Sequence, residues 1–387
     1  MKYRLHTKTI LVFSFLMCVS FYTPIFASFF QTSHGFSASQ ITTLFACGSL
    51  ATFLFEIPTG LLGDKIGERE SLIIGSGLTA ISTLLFLTGI TPLIYVGEVI
   101  FGMGSTFFSG PFDAILFHYS KSLNGSENYS KIVSKSYSLQ WLALCVSFLG
   151  CSLLSQLGNL AVPFYATLIA NILTLVSAFF LPKIKKNRKN NPLAILSSAV
   201  KALGKNRALR NICLLNACFT MVLVCGYQLL QPYLAVSDLH TSYNGFVYCI
   251  AALLASCGSF CFDKVQKIPI SKKTVLGICL LLILCCYCGL AITNNVLLVV
   301  VLICAYRFIW GITSPMFSYT VNKCIQSDEY RDTIFSIISL ISNLMGSVFL
   351  AIIGAIGFAA NVNYYVLAVA VIMLCPCVLS KGFHTET

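Results

Sequence analysis

The sequence predicts an all-α membrane protein with twelve transmembrane helices. Of its 387 residues, 57% are hydrophobic and 10% are charged, whereas soluble domains carry about 25% charged residues. Runs of roughly 20 apolar residues recur along the whole chain, and each is long enough to cross about 30 Å of hydrocarbon. The predicted spans are 9–30, 39–62, 71–90, 93–117, 132–156, 160–181, 208–233, 243–262, 273–292, 295–318, 333–357 and 362–380.

The distribution of lysine and arginine predicts the orientation of these spans. Basic residues occur before the first span, in the cluster from Lys183 to Arg210 and from Lys264 to Lys273, all on one side of the twelve-span topology. The loops on the opposite side contain neither residue type. Because cytoplasmic loops are enriched in lysine and arginine, we expect both termini in the cytoplasm and the spans in the cell (inner) membrane. The net charge of +12 then reflects topology, and no nucleic-acid partner is expected.

The 18 cysteines of the chain do not form a recognisable metal site. Cys285, Cys286 and Cys288 lie together in the ninth predicted span, but no histidine falls in the interior of any span to complete a ligand set. Buried thiols that pack as small apolar groups are the simpler interpretation. We therefore expect no metal and no other cofactor.

A basic segment divides the chain into two halves. The expected domains are an N-terminal six-helix bundle at 1–182, a cytoplasmic linker at 183–207 and a C-terminal six-helix bundle at 208–387. After Pro192, apolar residues share one helical face, which predicts a short helix at the anionic membrane surface, although a flexible linker fits equally well. That face contains Leu193, Leu196, Val200 and Leu203.

An internal repeat supports the division into halves. Five small or polar residues of the fourth span follow spacings of 4, 3, 4 and 4, and five residues of the tenth span follow the same spacings 209 positions later. Such a repeat is typical of duplicated transporter bundles. The first set is Glu98, Gly102, Ser105, Ser109 and Asp113, and the second is Arg307, Gly311, Ser314, Ser318 and Asn322.

A short polar crossing separates the second span from the third. Gly60 and Gly63 lack side chains, so another helix can approach the backbone there. Asp64 is expected just past a helix end, where it can accept from the N–H groups of a neighbouring helix start. Gly67 permits the sharp reversal between the two spans.

Gly60, Asp64, Lys65, Gly67 and Arg69 resemble the signature loop of the major facilitator superfamily, although Glu68 stands where that family usually has a base. The resemblance extends over the whole chain; an ordinary polar hairpin is the alternative. It implies the major facilitator fold, with two pseudo-symmetric bundles around a central cavity near the bilayer midplane. Spans 1, 4, 7 and 10 would line this cavity, and rocking of the halves would expose it to each side in turn.

Four charged residues lie within or near the ends of spans: Glu56, Glu98, Asp113 and Arg307. Each charge inside hydrocarbon costs about 2.5–3.5 kcal/mol on insertion scales, so each must be paired, hydrated or neutralised. Arg307 stays charged at any accessible pH and therefore needs an anion, either Glu98 or a substrate group. Our hypothesis is that Glu98 takes up and releases protons or binds a cationic substrate. A static Glu98–Arg307 pair is the alternative.

Asp113 and Glu56 have less certain roles. Asp113 lies about 22 Å along the fourth helix from Glu98. The resemblance implies that it pairs with Lys65 or Arg69 as a cytoplasmic latch, and a direct substrate role is the alternative. Glu56 precedes Gly60 by one helical turn, where it either titrates during transport or bonds to a neighbouring span.

Further candidates for a substrate cavity follow from helix faces. Each residue alone is more often a packing or inter-helix hydrogen-bonding residue, but together they describe an aromatic, mildly polar cavity suited to an amphipathic organic molecule. They are Tyr22, Gln140, Asn216, Thr220, Tyr227, Gln231, Tyr306 and Trp310.

These features favour a monomeric, proton-coupled secondary transporter whose partners are a small-molecule substrate, protons and the lipid bilayer. No Gly-x-x-x-x-Gly-Lys-Ser/Thr nucleotide loop is present. The segment Glu56–Gly60 is similar to bacterial efflux-type members that exchange drugs or metabolites for protons, so export leads. The fifth span lacks the Gly-Pro signature of many drug–proton antiporters. Uptake of a small, anionic metabolite is therefore the alternative, and a membrane receptor or membrane-embedded enzyme is more remote.

Overall fold

The computed structural model describes residues 2–121, 126–183, 192–235, 239–267, 272–293, 295–325 and 331–356, with the backbone alone at some helix positions. Throughout these ranges the regular structure is helical. The first seven helices are α1 (Lys2–Leu16), α2 (Phe26–His34), α3 (Ala38–Ile66), α4 (Glu68–Phe86), α5 (Thr91–Lys121), α6 (Ser126–Ser155) and α7 (Val162–Ala178). The others are α8 (Pro192–Lys205), α9 (Arg207–Ala235), α10 (Asn244–Lys267), α11 (Lys272–Ile292), α12 (Val296–Cys324) and α13 (Arg331–Ile356).

The all-α membrane class predicted from the sequence is confirmed. The first eleven predicted spans all fall on described helices, and the predicted span 362–380 lies outside the described residues. Among the described residues, 7 helices are long and apolar enough to cross a membrane by length and composition. Two shorter apolar helices, Thr7–Leu16 and Val162–Ala178, fall below that length.

The chain divides into two compact units. Unit one contains 1–36, 44–188 and 240–249, and unit two contains 37–43, 189–239 and 250–387. Two helices are divided between the units. The first residues of α10 belong to unit one and the rest of α10 to unit two, whereas the first residues of α3 belong to unit two and the rest of α3 to unit one. The segment after Pro192 that could have been a flexible linker is helical as α8, and α8 packs against α9 and α13 within unit two.

In unit one, α4 is the central helix and packs against both α5 and α7. Small residues make the close α4–α5 contact possible. A Cβ at Gly75 would lie 2.9 Å from the Cβ of Phe107, and a Cβ at Gly104 would lie 3.1 Å from that of Leu78. This is the small-residue packing that brings helices together when lipid supplies no hydrophobic driving force.

The first predicted span is not a single helix. α1 ends at Leu16 and α2 begins at Phe26, with a short 3₁₀ turn at Thr23–Ile25 between them. Unwound backbone at membrane depth needs other partners for its polar groups, and two side chains of unit one supply them. The N–H of Ser20 donates to Ser147 Oγ (3.1 Å), and the N–H of Phe21 donates to Thr167 Oγ1 (2.9 Å).

Replacing Thr167 with valine is expected to destabilise unit one by about 1–3 kcal/mol, because the substitution preserves shape but leaves the N–H of Phe21 without its acceptor. Ser82→Ala is the matched control, since the buried Ser82 Oγ has no hydrogen-bond partner in the described part of the chain. Thermal unfolding of the purified variants measures both. Equal melting temperatures for Thr167→Val and the parent would contradict the assigned role of Thr167.

In unit two, α9 packs against α13 and α12, and α11 packs against α12. Two tyrosine hydroxyls join these helices through backbone carbonyls of α9. Tyr287 of α11 donates to the carbonyl oxygen of Val222 (3.0 Å), and Tyr306 of α12 donates to that of Leu223. These bonds satisfy polar groups in a low-dielectric interior, where an unpaired hydroxyl would be costly.

Candidate functional site

Glu98 is buried in the middle of unit one, with 8% of its surface exposed. It lies in the second turn of α5, against Gly48 of α3; a Cβ at Gly48 would overlap the carboxylate oxygen Oε1. The glycine is therefore what leaves room for the carboxylate between the two helices. Gly48 was missed from the sequence, because a glycine in the apolar run of the second span does not indicate which side chain it faces.

The described neighbours of Glu98 in unit one include polar groups and no basic one. The carboxylate lies within electrostatic range of the Tyr22 hydroxyl and the Cys47 thiol. Over the ranges that the structure describes, the ion pair found is Lys183–Glu70, and it does not involve Glu98. A carboxylate so placed is costly to keep ionised, which suits a group that binds a proton. Its pairing with Arg307 stays a prediction.

Arg307 has an aromatic environment in unit two. Its guanidinium carbon lies 4.6 Å from the ring centroid of Tyr227 on α9 and 4.5 Å from that of Trp310 on α12. The two rings meet edge to face, with centroids 6.1 Å apart. Such cation–π contacts contribute about 0.5–1 kcal/mol at exposed sites and about 2 kcal/mol when desolvated, so this half-buried group falls within that range. They use none of its N–H donors.

The predicted polar stripe of α9 runs beside this group. Asn216, Thr220, Tyr227 and Gln231 fall on one side of the helix at 100° per residue. Thr220 Oγ1 donates to Asn216 Oδ1 (3.2 Å), and Gln231 is buried with its Oε1 lacking a partner within the described ranges. The structure thus brings Tyr227, Trp310 and Arg307 together, with Gln231 one helical turn from Tyr227. The neighbouring Gln228, also buried at Oε1 without a described partner, was missed from the sequence.

Three other cavity candidates occupy packing positions. Tyr22 is buried and stacks on Phe164 with centroids 4.7 Å apart. Gln140 donates to Ser14 Oγ (3.3 Å) and so links α6 to α1. Tyr306 is buried where α12 meets α9. These contacts support a structural role for all three, and their assignment to a cavity stays a prediction.

The signature loop is tighter than the sequence suggested. α3 continues to Ile66 and α4 begins at Glu68, so Gly67 makes the reversal alone, with φ of 103°. The expectation that Asp64 lies past a helix end is therefore wrong, since it belongs to the last turn of α3. The expected close contact at Gly60 is also wrong: a Cβ there would meet none of the described atoms within 4 Å. Gly63 does lie close to α4, because a Cβ added at Gly63 would lie 2.9 Å from Ser71 Oγ.

Alanine at Gly67 is expected to lower stability by about 1–2 kcal/mol, because a side chain is strained at this positive φ. Gly60→Ala is the matched control, and its expected change in stability has the opposite sign. That position is helical and open, so alanine should raise stability by about 0.5–1 kcal/mol. Thermal unfolding of the two variants checks both signs, and a Gly67→Ala protein as stable as Gly60→Ala would contradict the strained turn.

The charged residues of the loop contact the end of α7. Arg69 donates from Nη2 to the carbonyl oxygen of Phe179, just past the last turn of α7, where a cation is favoured by the helix dipole. Glu70 pairs with Lys183 at 3.2 Å. Glu68 is buried in the first turn of α4, and this position favours an acid over the base usual in the resembled family.

The remaining charges of the predicted latch are only partly described. The side chains of Lys65 and Asp113 lie outside the described residues, so the pairing of Asp113 with Lys65 or Arg69 stays a prediction. Glu56 is half-buried in α3 and takes part in a polar or electrostatic contact. Over the ranges that the structure describes, no group of three or more histidine, cysteine or acidic residues could hold a metal ion.

The two halves of the predicted repeat make equivalent contacts, each within its own unit. In unit one, a Cβ at Gly102 of α5 would lie 2.6 Å from the carbonyl oxygen of Gly48 on α3. In unit two, a Cβ at Gly311 of α12 would overlap the carbonyl oxygen of Ala255 on α10. The matching glycines of the fourth and tenth spans thus pack on the second and eighth spans. This agreement supports duplication.

Long apolar helices that bury a carboxylate in one unit and carry a half-buried guanidinium in the other are the features of a polytopic membrane protein with charges at membrane depth. The sequence model of the Major Facilitator Superfamily matches residues 9–350. The chain therefore belongs to this superfamily, which places it among secondary transporters and not among enzymes. No curated protein matches the chain.

Solved structures show the same fold at low sequence identity. A variant of the nucleoside transporter NupG aligns with a TM-score of 0.79 and 13% identity, covering 96% of this chain and 98% of that one. A second NupG structure aligns with a TM-score of 0.75 and 12% identity over 100% of both chains. A bacterial homologue of the human lysosomal transporter Spinster, in an inward-facing and occupied conformation, aligns with a TM-score of 0.65 and 14% identity. The alignment covers 97% of this chain and 96% of that one.

Proposed function

We propose that this protein is a proton-coupled transporter that exports a small amphipathic organic solute by alternating access. The observation that carries the coupling is the burial of Glu98 between α5 and Gly48 of α3, without a described basic partner. An ionisable residue inside a membrane helix marks an ion or proton path by default. A carboxylate that is neutral when buried and ionised when hydrated can carry one proton per cycle.

Orientation and assembly belong to the same proposal. The loops that carry lysine and arginine are cytoplasmic, and the chain lies in the cell (inner) membrane as a monomer. The direction of transport is export, as in efflux-type antiporters. The one-sided distribution of basic residues supports the orientation. The segment Glu56–Gly60 supports the efflux assignment.

Transport by reconstituted protein tests the function. Proteoliposomes are loaded with an unlabelled candidate, and entry of the labelled candidate by counterflow is followed. A carrier exchanges solute across the bilayer, whereas a receptor or an enzyme does not. The panel includes amphipathic drugs and organic acids, together with nucleosides because a nucleoside transporter shares the fold. Absence of exchange across the panel, with correctly inserted protein, would contradict carrier function.

Imposed pH gradients test direction and coupling. An exporter that exchanges solute for protons releases preloaded solute faster when the outside is acidified. The alternative is uptake of a small anionic metabolite with protons. It is favoured by the buried Nε of Arg307, which has no acceptor within the described ranges, and it predicts faster entry of external solute under the same gradient. Equal rates with and without the gradient would contradict proton coupling in either direction.

A further inference from the structure

No hydrogen-bond acceptor for Arg307 is found among the residues that the structure describes in unit two. A guanidinium carries five N–H donors in a planar fork. The rings of Tyr227 and Trp310 both contact the guanidinium, but no hydrogen bond or ion pair in the described ranges uses its donors. Its Nε is buried and lacks an acceptor there. Buried donors without acceptors are rare in native proteins, so this group points to a ligand that supplies acceptors.

The position of Arg307 on α12 makes such a ligand reachable from the polar side of the helix. At 100° per residue, Arg307 lies within about 20° of the exposed Ser314. The exposed apolar residues Leu298 and Val301 lie about 180° and 120° away around the same helix. Arg307 is also about 16 Å from the first residue of α12, close to the middle of a 30 Å hydrocarbon layer.

The groups around Arg307 specify more than a charge. Tyr227 and Trp310 are half-buried, so they present ring surface on which a flat group can stack. On α9, the buried Oε1 atoms of Gln228 and Gln231 have no described hydrogen-bond partner, so a donor on the ligand would satisfy them. The two helices therefore offer a planar cation in contact with aromatic rings, and amide acceptors on α9 within about one helical turn of Tyr227.

We propose that Arg307, Tyr227 and Trp310 bind the carboxylate end of a small aromatic acid, with a hydroxyl or N–H donor of its ring directed to Gln228 or Gln231. A carboxylate matches the guanidinium fork with two parallel hydrogen bonds, and the flat ring stacks on Trp310. This inference rests on the proposed transport function, since the bound acid is the transported solute. It holds for export and for uptake alike.

Binding to Trp310 can be measured directly because the chain has 2 tryptophans, Trp141 and Trp310. Trp141→Phe leaves Trp310 as the reporter in the full-length protein. 4-Hydroxybenzoate is expected to change the emission of Trp310 saturably. Three matched compounds separate the contributions: neutral 4-hydroxybenzamide, cationic 4-hydroxybenzylamine and non-aromatic cyclohexanecarboxylate. Each is expected to bind at least about ten-fold more weakly, since each lacks the charge or the ring that the site recognises.

Substitution of the cation completes the test. In the same background, Arg307→Gln is expected to weaken 4-hydroxybenzoate binding at least about ten-fold, and Arg307→Lys is expected to weaken it less, because a point charge remains without the fork. Arg210→Gln, an exposed arginine at the start of α9, is the control and should bind as the parent does. Should Arg307→Gln fail to fold, the compound series and Arg307→Lys still show whether the carboxylate binds at Arg307.

Two results would overturn the inference: equal binding of the acid, amide and amine, or unchanged affinity in Arg307→Gln. Failure of binding would remain distinct from failure of the proposed function. If another solute shows counterflow while 4-hydroxybenzoate leaves Trp310 unaffected, the substrate class is wrong and the transporter assignment stands. Saturable binding at Trp310 with no counterflow of any solute would contradict transport and leave a binding protein for aromatic acids.

Discussion

Leucine at position 311 is expected to prevent α12 from packing against α10 and to leave little folded protein. A Cβ at Gly311 would overlap the carbonyl oxygen of Ala255 and lie 2.8 Å from its carbonyl carbon. These are backbone atoms, which cannot rotate away as the end of a flexible side chain would. α10 and α12 are also joined at this point by a hydrogen bond, which Ser259 Oγ donates to the carbonyl oxygen of Gly311 (3.0 Å).

The expected cost of Gly311→Leu is about 3 kcal/mol or more, at or above the upper end for overpacking, and therefore a large part of the 5–15 kcal/mol that stabilises a typical domain. Gly277→Leu is the matched control, because a Cβ at Gly277 of α11 would meet nothing within 4 Å. Monodisperse yield and melting temperature report the difference. If the two leucine variants fold equally well, the close α10–α12 contact is wrong.

The same comparison is available in unit one and tests the duplication. Gly102→Leu brings the new side chain against the backbone of Gly48 and Thr52, so it should resemble Gly311→Leu. Gly77→Leu on α4 is the control, since a Cβ at Gly77 would also meet nothing within 4 Å. A severe effect at Gly311 with none at Gly102 would argue against equivalent packing in the two halves.

Glu98→Gln is expected to reduce proton-driven transport at least about ten-fold while leaving counterflow intact. Glutamine keeps the shape that fits against Gly48 but cannot exchange a proton, so only the coupled step should fail. Ten-fold is a conservative threshold, since a positioned proton-transfer group typically contributes about 10²–10⁴-fold to a reaction. Transport driven by an imposed pH gradient, compared with counterflow at equal pH, separates the two steps.

Glu70→Gln is the matched control for Glu98→Gln, because Glu70 is a half-buried carboxylate that pairs with the exposed Lys183; such a surface pair contributes about 0–1 kcal/mol. It should transport as the parent does. Full pH-dependent transport by Glu98→Gln would rule out the proton role. Loss of counterflow together with a lowered melting temperature would instead indicate the static pair with Arg307.

Much of the candidate site was accessible from the sequence because rare residues in apolar runs are conspicuous. Glu98 and Arg307 were identified as charges at membrane depth, and Tyr227, Gln231 and Trp310 by their helix faces. Gly48 and Gln228 were missed, since a glycine or a glutamine in a helix carries no sign of what it faces. Tyr22, Gln140 and Tyr306 satisfied the same face criterion, yet their described contacts are those of packing residues.

By itself, the sequence determined the helical membrane class and the placement of eleven described spans, together with the family signature. Hydropathy and loop charge act locally, through the cost of placing each segment in lipid. Only the tertiary structure decided that the first span is broken at residues 17–25, that Gly63 and not Gly60 meets a described neighbouring helix, and that Arg307 contacts the rings of both Tyr227 and Trp310. Each of these depends on partners far away in the chain: the amides of Ser20 and Phe21 are satisfied by hydroxyls of α6 and α7, and no local pattern specifies which distant side chain will meet them.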